Sequence, residues 1–210
     1  MENDIAIIKL NQDLVLSQEM QVACLPTKQS SIYPDINRPS YAVGWGKKSF
    51  SDQSISNELR NVQLKLYNMS KCDIYVTQST FNTDESSHIC SGDVENGLKN
   101  ICVGDSGGGL YVMDTINGTN DKFVLSGITS YTYSCGYDKA PSVFTRVSQY
   151  LDWIEEQNRI EWPDLKPYPN YVKDDYVLKL PNGSMSMKMM IKFEIIYLMF
   201  ISVLFIQFYF

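Results

Sequence analysis

The stretch Cys102-Val103-Gly104-Asp105-Ser106-Gly107-Gly108-Gly109-Leu110 decides how the rest of the chain is read. A serine hydroxyl is a weak nucleophile at neutral pH. Chemistry at Ser106 therefore needs a base to take its proton and donors to receive the charge that develops on an attacked carbonyl oxygen. Glycines on both sides let the backbone turn tightly, so the N–H groups of Gly104 and Ser106 can aim at one point beside the hydroxyl, which is the geometry of an oxyanion hole. A glycine-rich surface turn with an incidental serine would show the same G-x-S-x-G core, so the remaining sequence has to arbitrate.

Outside this stretch, composition narrows the options. The chain has 210 residues, the length of one or two domains, and 44% of them are apolar, enough for a real core. A formal charge of −6 argues against nucleic acid as a partner. Fourteen tyrosines, twelve glycines and short apolar runs punctuated by Pro and Gly predict an all-β protein. Five cysteines with no C-x-x-C pair, beside a single histidine, argue against zinc, and no metal or other cofactor is expected. Sequons at Asn68, Asn117 and Asn182 fit a secreted or cell-surface protein, in which an odd cysteine count means a free thiol or a missing partner.

Local patterns place the elements. Val62, Leu64 and Leu66 alternate along residues 61–67, a half-buried strand. The run from Asn68 to Cys72 leads into a polar excursion as far as Ser87, read as a surface loop. Residues 110–113 and 122–130 read as two strands around a turn at Asn117-Gly118. Val147, Tyr150, Leu151, Ile154 and Asn158 follow helical spacing, predicting an amphipathic helix over 147–160 that Pro163 stops. Residues 27–40 read as a polar connection.

The full nonapeptide, with its cysteine four residues before the serine, resembles the nucleophile segment of the chymotrypsin-like (trypsin-fold) serine proteases. Asn3-Asp4-Ile5-Ala6-Ile7-Ile8-Lys9-Leu10 resembles that family's aspartate segment, followed by Val22-Ala23-Cys24-Leu25-Pro26, and Tyr41-Ala42-Val43-Gly44-Trp45-Gly46 resembles its Gly-Trp-Gly strand. The resemblance implies the second six-stranded antiparallel barrel of a double barrel, the last part of the first, and a terminal helix. It implies Ser106 as nucleophile, Asp4 as the aspartate that orients a histidine, and Gly104 and Ser106 as oxyanion donors. By the same resemblance Cys72 pairs with Cys90 and Cys102 with Cys135, while Cys24 bridges to a cysteine upstream. Ser130, Tyr131 and Thr132 would pair with extended substrate, and Asn100 would lie at the bottom of the primary pocket, with Thr132 and Ser142 as walls. A neutral Asn100 disfavours Arg or Lys before the scissile bond and leaves a small or medium uncharged residue preferred.

Several positions depart from the family pattern. Gly109 stands where proline is usual. The family's histidine precedes the aspartate, but only Met1, Glu2 and Asn3 precede Asp4, and the one histidine, His88, reads as structural or surface. Asp105 would pair with an activated N-terminus that has no counterpart here, and no signal peptide is evident. The chain therefore reads as an N-terminally truncated serine endopeptidase, inactive as given, whose upstream segment supplies the histidine and the partner of Cys24. A non-catalytic homologue acting as a cell-surface binding protein is the alternative.

Residues 161–190 read as a spacer and 191–210 as a hydrophobic tail. The apolar run 195–210 would span about 24 Å as a helix, short of the roughly 30 Å hydrocarbon core. Asn182, Gly183 and Ser184, a ten-residue spacer and the apolar run also match a lipid-anchor signal, which the spacing favours over a transmembrane helix. The expected organisation is 1–26 first-barrel remnant, 27–40 connection, 41–160 second barrel with helix, then spacer and tail. The expected place is the extracellular face of the plasma membrane or the secreted phase, and the expected partners are a polypeptide substrate and, through the tail, the membrane.

Overall fold

The computed structural model describes residues 3–8, 10, 15–17, 21–27, 30–76, 83–115, 121–135 and 139–159. Six strands carry the fold: β1 (Pro39–Gly44), β2 (Arg60–Tyr67), β3 (His88–Gly92), β4 (Gly109–Thr115), β5 (Asp121–Thr132) and β6 (Ser142–Arg146). They close into a barrel in the order β1-β2-β3-β6-β5-β4, every neighbour antiparallel. Closure leaves no strand edge to template aggregation. The all-β expectation and its six-stranded antiparallel barrel are therefore observed.

The alternation in β2 does what its pattern requires: Leu64 and Leu66 are 3% and 1% exposed and Val62 packs beside them. They meet Ala42, Ile89, Ile101, Leu110, Val112 and Phe144 in the barrel core. A second cluster on the outside of β5 joins Leu125, Ile128 and Val147 to Ile5, Ala23, Leu25, Leu151 and Ile154. The N-terminal segment is thus held against the barrel, with Cys24 bridging Val124 and its carbonyl accepting the Leu125 N–H at 2.8 Å.

Boundaries shift in four places. β1 starts at Pro39, inside the stretch read as connection, and stops at Gly44, before Trp45. The terminal helix opens as a 3-10 turn over Val147–Tyr150 and becomes α-helical only as α2 (Leu151–Arg159). The polar excursion after Asn68 begins with a short helix, α1 (Ser70–Val76), so its first part is not a loop. Strand β6 is buried at all five residues and was not anticipated. The turn at Asn117-Gly118, Asn182-Gly183-Ser184 and the whole of 160–210 lie outside the described residues. Among the described residues no helix is long and apolar enough to cross a membrane.

Both expected disulfides form. Cys72–Cys90 ties α1 to β3 across a Cα–Cα distance of 5.9 Å, and Cys102–Cys135 ties the serine segment to the end of β5 across 4.6 Å.

The missing proline at 109 has a local cause. A Cβ there would lie 2.5 Å from Tyr111 Cε2 and 2.8 Å from Leu125 Cδ1, so the Tyr111 ring occupies the space a pyrrolidine would need. Burial of that ring pushes the Tyr111 phenol pKa up. Gly109→Pro is expected to cost about 1–3 kcal/mol through overpacking. Combined with Tyr111→Ala, the double variant should lose less than the sum of the singles, because the clash with the ring is gone and only the contact with Leu125 remains. Urea midpoints of the four proteins check this; strict additivity would contradict it.

Candidate active site

Asp4 is 9% exposed and fixed at both its side chain and its backbone. The Ser130 hydroxyl on β5 donates to its Oδ2 at 2.5 Å, and the Thr145 hydroxyl on β6 donates to its carbonyl at 2.8 Å. Next to it, Asn3 Oδ1 accepts the Tyr150 hydroxyl at 3.0 Å. Strands β5 and β6 and the 3-10 turn therefore hold one short N-terminal segment, which is how an aspartate 102 residues before Ser106 acquires a defined place.

Ser106 is exposed, at the apex of a turn that the backbone over-determines. Asp105 N–H donates to Cys102 O at 3.0 Å and Gly108 N–H to Asp105 O at 2.9 Å. Thr129 on β5 locks the far side, accepting from Gly107 N–H at 2.9 Å and donating to Gly108 O at 2.8 Å. Gly104 and Gly107 have φ of 98° and 79°, a region that disfavours a side chain. Among the described residues the N–H groups of Gly104 and Ser106 make no backbone hydrogen bond, as donors reserved for an incoming oxyanion would.

Asp105 explains the Gly-Trp-Gly strand. Its Oδ1 accepts the Gly46 N–H at 2.7 Å and its Oδ2 the Cys102 N–H at 2.8 Å. A Cβ on Gly44 would lie 2.1 Å from Oδ1, and one on Gly46 would lie 2.4 Å from Cγ, so the carboxylate needs both glycines bare. Trp45 stands between them, 46% exposed. The carboxylate is thus satisfied by main-chain donors.

Asn100, Thr132 and Ser142 come together. The Asn100 amide NH2 donates to Ala140 O at 2.8 Å, Ser134 O at 3.1 Å and Thr132 Oγ1 at 3.3 Å. Its Oδ1 accepts the Ile101 N–H at 2.9 Å and the Ser142 hydroxyl. Ser142 is fully buried, and its hydroxyl bond holds Asn100 Oδ1 in place. Tyr131, next to Thr132 in sequence, packs against the cluster of Met69, Cys72, Cys90 and Val143; burial, helped by the Asp73 charge, pushes its phenol up to about 12. Asn100→Asp should keep the Oδ1 contacts and turn the second oxygen against two carbonyls. The expected loss is about 1–3 kcal/mol at pH 7. Repulsion raises the folded-state pKa of the new carboxyl, so the loss is smallest at acid pH, where the group is protonated, and grows as pH rises through that pKa. Melting curves at pH 4 and 7 check the sign; an equal loss at both would contradict it.

His88 is 1% exposed on β3, opposite Thr145. Its Nδ1 faces the Ser87 hydroxyl at 3.0 Å and Asp84 O at 3.1 Å, and it has no hydrogen bond to Asp4 or Ser106 among the described residues. It is a buried structural histidine. Thr129, Thr145 and the Gly46 N–H are site-positioning groups that sequence reasoning missed. Nothing in a lone Thr or Gly marks a contact made across the barrel.

The sequence of residues 1–154 matches the family model described as Trypsin. The chain belongs to the trypsin family of serine proteases. It is 35% identical to chymotrypsin-C of Bos taurus over 157 residues, 74% of this chain and 54% of that protein. It is 34% identical to tissue-type plasminogen activator of Mus musculus over 168 residues, 74% of this chain and 28% of that protein. Ovochymase of Halocynthia roretzi is 31% identical over 151 residues, 72% of this chain and 9% of that protein. The chain thus spans about half of the first of these relatives and far less of the other two. Trypsin-family proteases act on polypeptides.

Proposed function

We propose that the complete protein is a serine endopeptidase that acylates Ser106, and that the 210-residue chain by itself is inactive. The observation that carries the reading is Asp4, buried and held by Ser130 at 2.5 Å beside a locked serine turn. An aspartate so placed accepts the Nδ1–H of an imidazole, fixes its tautomer and stabilises the imidazolium formed when the serine proton is taken. That imidazole would come from a segment preceding Asp4, which would also carry the partner of Cys24. The Gly104 and Ser106 N–H groups would receive the oxyanion, and the backbone of Ser130, Tyr131 and Thr132 would hold the substrate strand. The internally satisfied Asn100 offers no charge to Arg or Lys, so a small or medium uncharged residue is preferred at that subsite.

The place of action would be the extracellular face of the plasma membrane or the secreted phase, with the tail as lipid-anchor signal or transmembrane helix. Release of a cell-expressed form by phosphatidylinositol-specific phospholipase C tests the anchor; retention would favour the helix. The enzymatic reading is tested on a transcript reading upstream of Met1 in frame. Its product should carry a histidine motif and react at Ser106 with a fluorophosphonate. A stop codon just upstream would count against it. A non-catalytic surface-binding homologue is the second reading, favoured by the Asp105 carboxylate already engaged by Gly46 and Cys102 N–H groups. An upstream-extended product that carries the histidine and stays unlabelled would support that reading.

A further inference from the structure

We infer that Asn68 carries an N-linked glycan and that its first sugars cover the cavity beside it. The inference rests on the extracellular reading above. Asn68-Met69-Ser70 bridges the end of β2 and the start of α1, where the chain turns outward. Met69 is 5% exposed and anchors the turn, which leaves Asn68 and Ser70 on the surface on either side of it. Asn68 Oδ1 accepts the Ser70 N–H at 3.0 Å, and its Nδ2 donates to Glu85 Oε1 at 3.3 Å. A glycosylated amide keeps one N–H, so that contact survives modification.

A cavity of about 240 Å³ opens next to this turn, lined by Asn68, Met69, Leu66, Pro34, Ile36 and Arg146 among others. Ile32 and Ile36, also in its lining, are 76% and 50% exposed. Exposed apolar side chains beside a cavity offer a covering group an apolar surface to pack on. Asn68 is itself in the lining, so a sugar bonded to its Nδ2 begins beside the cavity. A pyranose ring offers an apolar C–H face to the isoleucines and hydroxyls to solvent. The transfer balances with a polyprenyl-diphosphate oligosaccharide as donor: the bond from sugar C1 to phosphate oxygen breaks, the C1–Nδ2 bond forms, the diphosphate leaves, and one amide proton goes to the transferase base.

The test expresses the full 210-residue chain behind an added export signal in eukaryotic cells, then treats it with peptide N-glycosidase in ¹⁸O-labelled water. The expected result is ¹⁸O-labelled Asp at position 68, one mobility step lost in Asn68→Gln and in Ser70→Ala, and none lost in Ser70→Thr. An unmodified Asn68 peptide overturns the inference, whether Asn117 and Asn182 are occupied or not. Attachment precedes folding, so the readout does not depend on variant stability, and it is separate from any labelling of Ser106. For the covering, binding of anilinonaphthalene sulfonate should rise on enzymatic deglycosylation to the level of Asn68→Gln. Equal binding before and after would overturn that half.

Discussion

Asp105→Ala is expected to lower folding stability by about 2–4 kcal/mol, because the carboxylate accepts two charge-assisted hydrogen bonds worth about 1.5–3 kcal/mol each and is only partly shielded from water. Both donors, the Gly46 and Cys102 N–H groups, would be left without a partner, and the room kept clear by bare glycines at 44 and 46 would stand empty. Asp105→Asn keeps the shape but turns an NH2 toward one of the two donors, so its loss should be intermediate. The damage is also positional. Asp105 lies between Gly104 and Ser106, so releasing its side chain frees the backbone on both sides of it, including the two N–H groups proposed to receive an oxyanion. Urea denaturation of the three proteins gives the ranking, and an alanine variant within 0.5 kcal/mol of the parent, about the scatter of an ordinary surface substitution, would contradict it.

Removing Cys102–Cys135 by alanine substitution at both positions is expected to cost about 4 kcal/mol, and removing Cys72–Cys90 about 3 kcal/mol, from the entropy each closed loop withholds from the unfolded chain. The sequence separations are 33 and 18, so the loop term alone separates the two by only about 0.5 kcal/mol. Their local consequences differ more. Cys102 and Cys135 join the serine turn to the segment whose Ser134 carbonyl holds Asn100, so losing them loosens turn and pocket base together. Cys72 and Cys90 are each 1% exposed in a cluster with Met69 and Val143, so losing them unpacks α1 from β3. Hydrogen exchange should therefore quicken around residues 100–108 in the first variant and around 70–76 in the second. The same exchange pattern in both would contradict this assignment.

What could be read from the residues followed from periodicity and close packing. β2 alternates because one face is core, and the terminal helix shows its apolar stripe because Leu151 and Ile154 cover β5. β6 stayed hidden because Ser-Val-Phe-Thr-Arg is buried on both faces, which erases alternation. α1 stayed hidden because seven residues give little pattern, and its place is set by Met69 and the Cys72 bridge. Asp4, Ser106, Asn100 and Asp105 were legible only through resemblance, since the contacts that define them cross the barrel. Gly46 touches a carboxylate 59 positions away, and Asp4 a serine 126 positions away. The direction of a hydroxyl is beyond sequence altogether, which is why the bond from Ser142 to Asn100 Oδ1 is visible only in the structure.

Reaction of Ser106 with a fluorophosphonate in the 210-residue chain, beside Ser106→Ala as control, tests most directly the proposal that this chain by itself is inactive. The prediction is equal, background labelling of both proteins, because the one imidazole of the chain, that of His88, is buried against Ser87 and Asp84 and has no hydrogen bond to Asp4 or Ser106 among the described residues. Labelling of the parent chain as fast as a working serine protease, abolished in Ser106→Ala, would contradict it.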